Sequence, residues 1–84
     1  MKHKMEFQSA LRDARLSLKA KGIFALLCEL GEDLPAAELA LFTRDGETAI
    51  HSGLRELVEH GYVERVMVRG ARNPGWQRRI VKRG

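Results

Sequence analysis

Cysteine and long hydrophobic runs are scarce in this sequence. The 84 residues include one cysteine, so no internal disulfide can support the domain, and its hydrophobic core must do so alone. The longest unbroken apolar stretch, residues 23–28, has six residues, whereas about 20 are needed to cross a bilayer. No apolar region of about 7–15 residues, as found in secretory signals, follows the basic start. We therefore expect one cytoplasmic globular domain with no membrane partner.

The residues needed for enzyme chemistry are also few. Cys28 lies in the most apolar segment with no histidine three or four residues away, which predicts a buried, unreactive thiol. His51 and His60 fall on opposite sides of one predicted helix, so they do not share a metal through it. No carboxylate pair is set against an apolar run, and no glycine-rich phosphate loop follows a strand. We predict no enzyme activity, no catalytic residue, no metal site and no cofactor.

Positive charge is concentrated at the end of the chain. The whole sequence has 15 basic and 11 acidic residues, a net charge of +4. Residues 1–61 carry eight basic and ten acidic side chains, net −2, whereas residues 62–84 carry seven basic and one acidic, net +6. A basic block beside a folded domain is typical of a polyanion binder, because cations that neutralise phosphates release counterions. A solvated basic hairpin without a partner is the alternative.

The first helix is predicted over about 17–30. Ser17 provides an N-cap and Gly31 a C-cap. Between them, apolar residues recur at helical spacing: Ala20, Ile23, Phe24, Leu27 and Leu30. Further apolar residues widen this face, so the helix is expected to lie at the centre of the core. Gly22 costs about 1 kcal/mol of helix propensity, which predicts a close backbone contact there.

Two further helices are predicted over about 35–42 and 46–60. Pro35 fits the first turn of the shorter helix, where no intrahelical N–H is needed. Asp45 is expected to cap the longer helix and Gly61 to end it. One face of the longer helix is apolar, formed by Ile50, Leu54, Leu57 and Val58.

The period of the apolar pattern changes from 3.6 to 2 after the third helix. Alternating β-formers on both sides of a Gly/Asn/Pro loop predict a β-hairpin over about 62–82. Near the start of the chain, residues 7–16 are interpreted as a brief strand or helical turn, with Phe7 and Leu11 covering the core. The fold class is therefore α+β.

The order of these elements resembles the winged helix-turn-helix. A helix, a short helix, a tight turn and a longer amphipathic helix are followed by a basic hairpin, the wing. We predict a single winged-helix domain over residues 1–84, with three helices and a two-stranded wing. In such a domain the third helix enters the major groove of DNA, and the wing reaches phosphates or the minor groove.

The polar face of the third helix is predicted to read DNA. At 100° per residue, the face opposite the core stripe carries Thr48, Ser52, Arg55 and Glu59, with His51 beside it. Arg55 can bridge two acceptors on guanine. The shorter side chains of Thr48, Ser52 and His51 suit phosphates or base edges. Three glutamates leave the helix with a net charge near −2. A packing helix with a solvated face is therefore the alternative.

The wing is predicted to hold phosphates. Arg69, Arg72 and Asn73 fall at or beside its tip. Arg78 and Arg79 fall on opposite faces of the returning strand. We expect phosphate contacts from Arg69, Arg72 and Arg78.

Three other residues are given structural or solvent roles. A lone aromatic such as Trp76 more often packs the base of a hairpin, because single-strand binders usually present several stacking platforms. Lys19 and Lys21, at the start of the first helix, either add contacts to the DNA backbone or are ordinary solvated residues, and we favour the second interpretation.

Several short segments carry a resemblance to a known family. They are Leu16-Ser17-Leu18-Lys19-Ala20-Lys21-Gly22, Asp45-Gly46, Ala49-Ile50 with Leu54, Glu56-Leu57 and Gly61-Tyr62. Together they resemble the winged-helix domains of phage- and plasmid-associated replication initiators and related small helix-turn-helix proteins. The resemblance implies duplex binding through the third helix and the wing. Relatives tend to have alanine where Gly53 stands and aromatics where Arg78 and Arg79 stand.

We accordingly predict a double-stranded DNA-binding protein, a small regulator of transcription, with recognition helix 46–60 in the major groove. A replication-associated DNA-binding protein of a phage or plasmid is one alternative. A protein-interaction winged helix without DNA binding is another, and RNA binding is a third. A homodimer and a protein partner are left open.

Overall fold

The computed structural model describes residues 2–69 and 75–82, and these form an α+β fold. Four helices are followed by a two-stranded antiparallel sheet. The elements are α1 (Lys4–Arg12), α2 (Leu18–Leu30), α3 (Ala36–Ala40), α4 (Glu47–Glu59), β1 (Val63–Val68) and β2 (Gly75–Ile80). The predicted hairpin and the three predicted helices are present, each helix one to three residues shorter than expected.

Helix α1 was not predicted as a full helix. The brief strand or helical turn expected over residues 7–16 is replaced by a helix that begins at Lys4 and ends at Arg12. Phe7 packs against the core as expected, whereas Leu11 is exposed. The buried residues of α1 are Ala10 and Glu6, so the segment shows no apolar stripe from which a helix can be read.

Helix α2 lies at the centre of the core. Its N-cap and C-cap are confirmed: the Ser17 hydroxyl accepts a hydrogen bond from the Ala20 N–H at 3.1 Å, and the helix ends at Gly31, which has φ 140°. Five of its residues are buried: Ala20, Ile23, Phe24, Leu27 and Cys28. They pack against α1 on one side and α4 on another.

The connection between α3 and α4 differs from the prediction in two respects. Helix α3 ends at Ala40, so Phe42 lies in the turn rather than in the helix. The expected Asp45 cap is wrong, because Gly46 is the N-cap of α4 and no side chain caps it. The Thr43 hydroxyl instead accepts from the Asp45 N–H at 3.0 Å and fixes the turn.

The close helix contact predicted at Gly22 occurs at Gly53. A Cβ built on Gly22 meets nothing within 4 Å, whereas one on Gly53 would overlap the Ile23 Cδ1 atom and lie 3.4 Å from Lys19 Cγ. Gly53 is buried on α4 at its contact with α2. The absence of a side chain there allows the two helices to approach closely.

The base of the hairpin belongs to the core. Val63 pairs with Ile80 at the start of the sheet, and both are buried. The neighbouring Tyr62 makes an edge-on contact with Phe24 at 5.6 Å between ring centroids, and its hydroxyl lies 2.7 Å from Asp13 Oδ2. Strand β1 also packs against α4.

Candidate nucleic-acid interface

One groove separates the exposed side of α4 from the hairpin. It is lined by His51, Leu54, Arg55, Val58, Arg65, Trp76 and Arg78, and we call it the α4–hairpin groove. The lining includes the apolar side chains of Leu54 and Val58 and three arginines. The predicted reading face and the basic strand therefore border the same space.

The orientation of α4 follows from its apolar stripe. Burial of Ile50, Leu54 and Leu57 fixes the helix rotation, and the opposite side stays open. Thr48, His51 and Arg55 are exposed on α4, and the last two line the groove. At these three positions the polar face of α4 is thus uncovered by the rest of the described chain.

The fourth predicted reader on α4, Ser52, is already engaged. Its hydroxyl accepts a hydrogen bond of 3.0 Å from the Lys19 ammonium. This contact brings a cation from α2 to the edge of the reading face, which the interpretation of Lys19 as an ordinary solvated residue missed. Lys21 also has a partner, because its ammonium donates to the Leu11 carbonyl at 2.9 Å.

Arg78 lies in the groove with its guanidinium turned to the loop after α2. Nη1 donates to the Leu34 carbonyl at 2.6 Å and to the Glu32 carbonyl at 3.4 Å. Burial lowers the pKa of Arg78, and the nearby Asp33 carboxylate opposes this effect. We assign Arg78 the orientation of the hairpin rather than the phosphate contact expected from the sequence.

The other predicted wing residues divide into two groups. Arg79 lies on the face opposite Arg78, as predicted, and its Nε and Nη2 both donate to Oε1 of Glu64 on β1. This carboxylate offsets its charge. Arg69 is exposed directly after β1. Arg72 and Asn73 lie outside the described residues.

Two groove residues were missed or misplaced by the sequence interpretation. Arg65 carries no predicted role, yet it pairs with Arg78 across the sheet and lines the groove. Trp76 does not pack the hairpin base: it pairs with Met67, and 62% of it is exposed. Arg65 Cζ lies 6.0 Å from the centre of its ring. The period-2 alternation of the strands was the signal that places these side chains on one face.

The acidic residues of α4 are distributed away from the groove. Both oxygens of Glu56 accept hydrogen bonds from Ser17, one from the N–H at 2.9 Å and one from the hydroxyl at 2.7 Å. These two contacts lower the pKa of Glu56. Glu47 and Glu59 are exposed at the two ends of the helix. Glu59, four residues after Arg55 on the same helix, is not among the residues that line the groove.

Comparison with protein-family models, curated proteins and solved structures gives no match. None of the helices in the described ranges is both long and apolar enough to span a bilayer.

Proposed function

We propose that this protein binds duplex DNA as a winged helix-turn-helix domain and acts as a small regulator of transcription. In this proposal α3 and α4 form the helix-turn-helix, α4 enters the major groove, and the hairpin is the wing. The single observation that carries it is the α4–hairpin groove, in which an uncovered polar helix face and a cationic strand face border one space.

The geometry of α4 supports major-groove reading. A 13-residue helix is about 20 Å long. The major groove of DNA is wide enough to admit an α-helix. Arg55 reads base edges, with guanine the preferred base because it offers two acceptors. Thr48 and His51, closer to the helix N-terminus, contact base edges or phosphates.

The remaining cations suit the DNA backbone. Arg65 and Arg69 approach phosphates from the wing. Lys19 approaches from the edge of the polar face of α4, where its ammonium donates a hydrogen bond to Ser52. With about three phosphates neutralised by these three residues, log K falls with log salt at a slope of about −3. Charge on Arg72 steepens this slope if it adds a further contact.

The decisive experiment selects bound duplexes from a random pool and then compares three variants on the selected sequence. Arg55→Ala is expected to cost about 1–3 kcal/mol on the selected duplex and to relax the preference at one position. Arg65→Ala weakens all sequences alike and lowers the salt slope by about 1. Arg79→Ala removes the same charge from the far face, where Glu64 holds it, and serves as the matched control. Equal losses from all three variants would contradict the proposed interface.

Protein docking is the second candidate function, and two exposed apolar residues favour it. Leu41 and Phe42 are adjacent in the turn before α4, 82% and 59% exposed. A docking domain retards no duplex at about 100 mM salt, where a phosphate-binding surface still operates. It instead retains a protein partner that the double variant Leu41→Ser, Phe42→Ser releases.

A further inference from the structure

Trp76 is the single tryptophan of the chain, and the core does not account for it. The side chain is 62% exposed on the face of β2 that borders the α4–hairpin groove. Its pairing partner Met67 is also exposed, so this part of the hairpin buries little apolar surface. The exposed ring is therefore available to a ligand that enters the groove.

The surroundings of Trp76 combine apolar side chains with cations. Leu54 and Val58 line the groove together with Arg55 and Arg65, and Arg65 Cζ lies 6.0 Å from the centre of the Trp76 ring. The groove volume of about 310 Å³ is at the small end of the range for ligand sites, about 300–1,000 Å³. The space suits one planar group with adjacent negative charge.

We propose that this groove holds one unpaired DNA base, stacked on Trp76, with a flanking phosphate contacted by Arg65. The inference rests on the proposed function, since the duplex beside the unpaired base is held by α4 and the wing. An aromatic ring stacks on any base, because every base has a π-face. A groove with one aromatic platform serves one base, whereas a protein that tracks a strand needs several.

The test uses three DNA probes that differ at one position. The first is a fully paired duplex, the second carries a single bulged adenine, and the third carries an abasic residue in place of that adenine. The third probe keeps the bend and the extra phosphate of the bulge, so the difference between the second and third reports the base alone. Affinity is measured by the anisotropy of labelled DNA, and emission from Trp76 reports stacking directly.

Wild-type protein is expected to bind the bulged adenine about tenfold more tightly than the abasic probe, with quenched tryptophan emission. Trp76→Ala removes this preference, so that the variant binds the bulged and the abasic probes with equal affinity. Trp76→Phe keeps most of the preference, because a smaller ring still stacks. The exposure of Trp76 keeps both variants folded, which circular dichroism checks.

The outcomes separate this inference from the proposed function. Equal affinity of the wild type for the bulged and abasic probes overturns the stacking site, while binding to the paired duplex still supports the winged-helix proposal. The stacking site is also overturned if Trp76→Ala still prefers the bulged adenine to the abasic probe. An equal loss of affinity by that variant on all three probes has the same meaning, because the preference is then unchanged. Failure of the wild type to bind any paired duplex overturns the proposed function instead.

Discussion

The backbone N–H of Arg78 donates a hydrogen bond of 2.9 Å to the Asp33 carboxylate, which joins the hairpin to the loop between α2 and α3. Two residues further along β2, the Ile80 N–H donates to Glu32 at 2.9 Å. Two carboxylates thus occupy the outer edge of β2, where a third strand would otherwise pair. The Arg78 guanidinium adds a third contact to the same loop, because it donates to the Leu34 carbonyl.

This junction predicts that Asp33 sets the orientation of the hairpin. Asp33→Leu removes the acceptor and is expected to cost about 1 kcal/mol of unfolding free energy. The amide of Arg78 then exchanges faster with solvent, which hydrogen exchange measures. Asp33→Asn keeps a side-chain acceptor while removing the charge, so it is expected to behave like the wild type. A similar loss in both variants would assign the effect to charge instead of the hydrogen bond.

The two helical glycines predict opposite effects of alanine. Gly22→Ala places a methyl group in open space and is expected to stabilise the protein by up to about 1 kcal/mol, the helix-propensity gain. Gly53→Ala gains the same helix propensity, but its new methyl group overlaps the Ile23 side chain. The core must repack around this overlap at a cost of about 1–3 kcal/mol. We expect net destabilisation at Gly53, measured by urea unfolding.

A double variant checks the cause of the Gly53 effect. Ile23→Val removes the Cδ1 atom that the new methyl group would overlap. Combined with Gly53→Ala, it should cost less than the sum of the two single changes. If the two changes in the free energy of unfolding add strictly, the overlap with Ile23 is not the cause of the Gly53→Ala effect.

The contact between Glu56 and Ser17 predicts a pH dependence of stability. The folded-state pKa of Glu56 is lowered. Its ionised carboxylate therefore contributes fully to the free energy of unfolding at pH values above the pKa of a glutamate in the unfolded chain, about 4.3. The contribution is lost as pH falls through the lower folded-state value. Glu56→Gln should therefore destabilise the protein at pH 7 by about 1 kcal/mol and differ little from the wild type near pH 3. Denaturant unfolding of the variant and the wild type at pH 7 and at pH 3 measures the two differences in stability.

Glu59→Gln is the matched control on the same helix. It removes the same charge from an exposed position. The stability of this variant should follow that of the wild type at both pH values. A pH-independent loss in Glu56→Gln would refute the role given to its ionised form.

Cys28 is expected to be inert in the folded protein. The thiol is 7% exposed, and burial, followed by the nearby carboxylates of Glu6 and Glu32, raises its pKa to about 11. Alkylation at pH 8 should be slower than in urea by a factor on the order of a hundred or more, because the thiolate is the reactive form. Mass spectrometry over time measures both rates. Equal rates would place the thiol at the surface.

The sequence by itself determined the helices with strong apolar stripes and the hairpin. In α2 and α4 the spacing of core residues fixes both the helix and its buried face, and the Ser17 cap marks the start of α2. Period-2 alternation identifies β1 and β2 in the same way. These patterns are local, and a local pattern is sufficient to select an element and its buried side. Helix α1 lacks such a stripe and was therefore not recognised.

Only the tertiary structure decided what each polar or exposed side chain does. The partners of Arg78 are 44 and 46 residues away in the chain, and that of Lys19 is 33 residues away. Composition counts every arginine as one positive charge, but packing engages Arg78 and Arg79 and leaves Arg55 and Arg65 beside Trp76. The physical reason is that a helix or strand pattern specifies which face is buried, whereas the contacts of the other face depend on how distant elements dock.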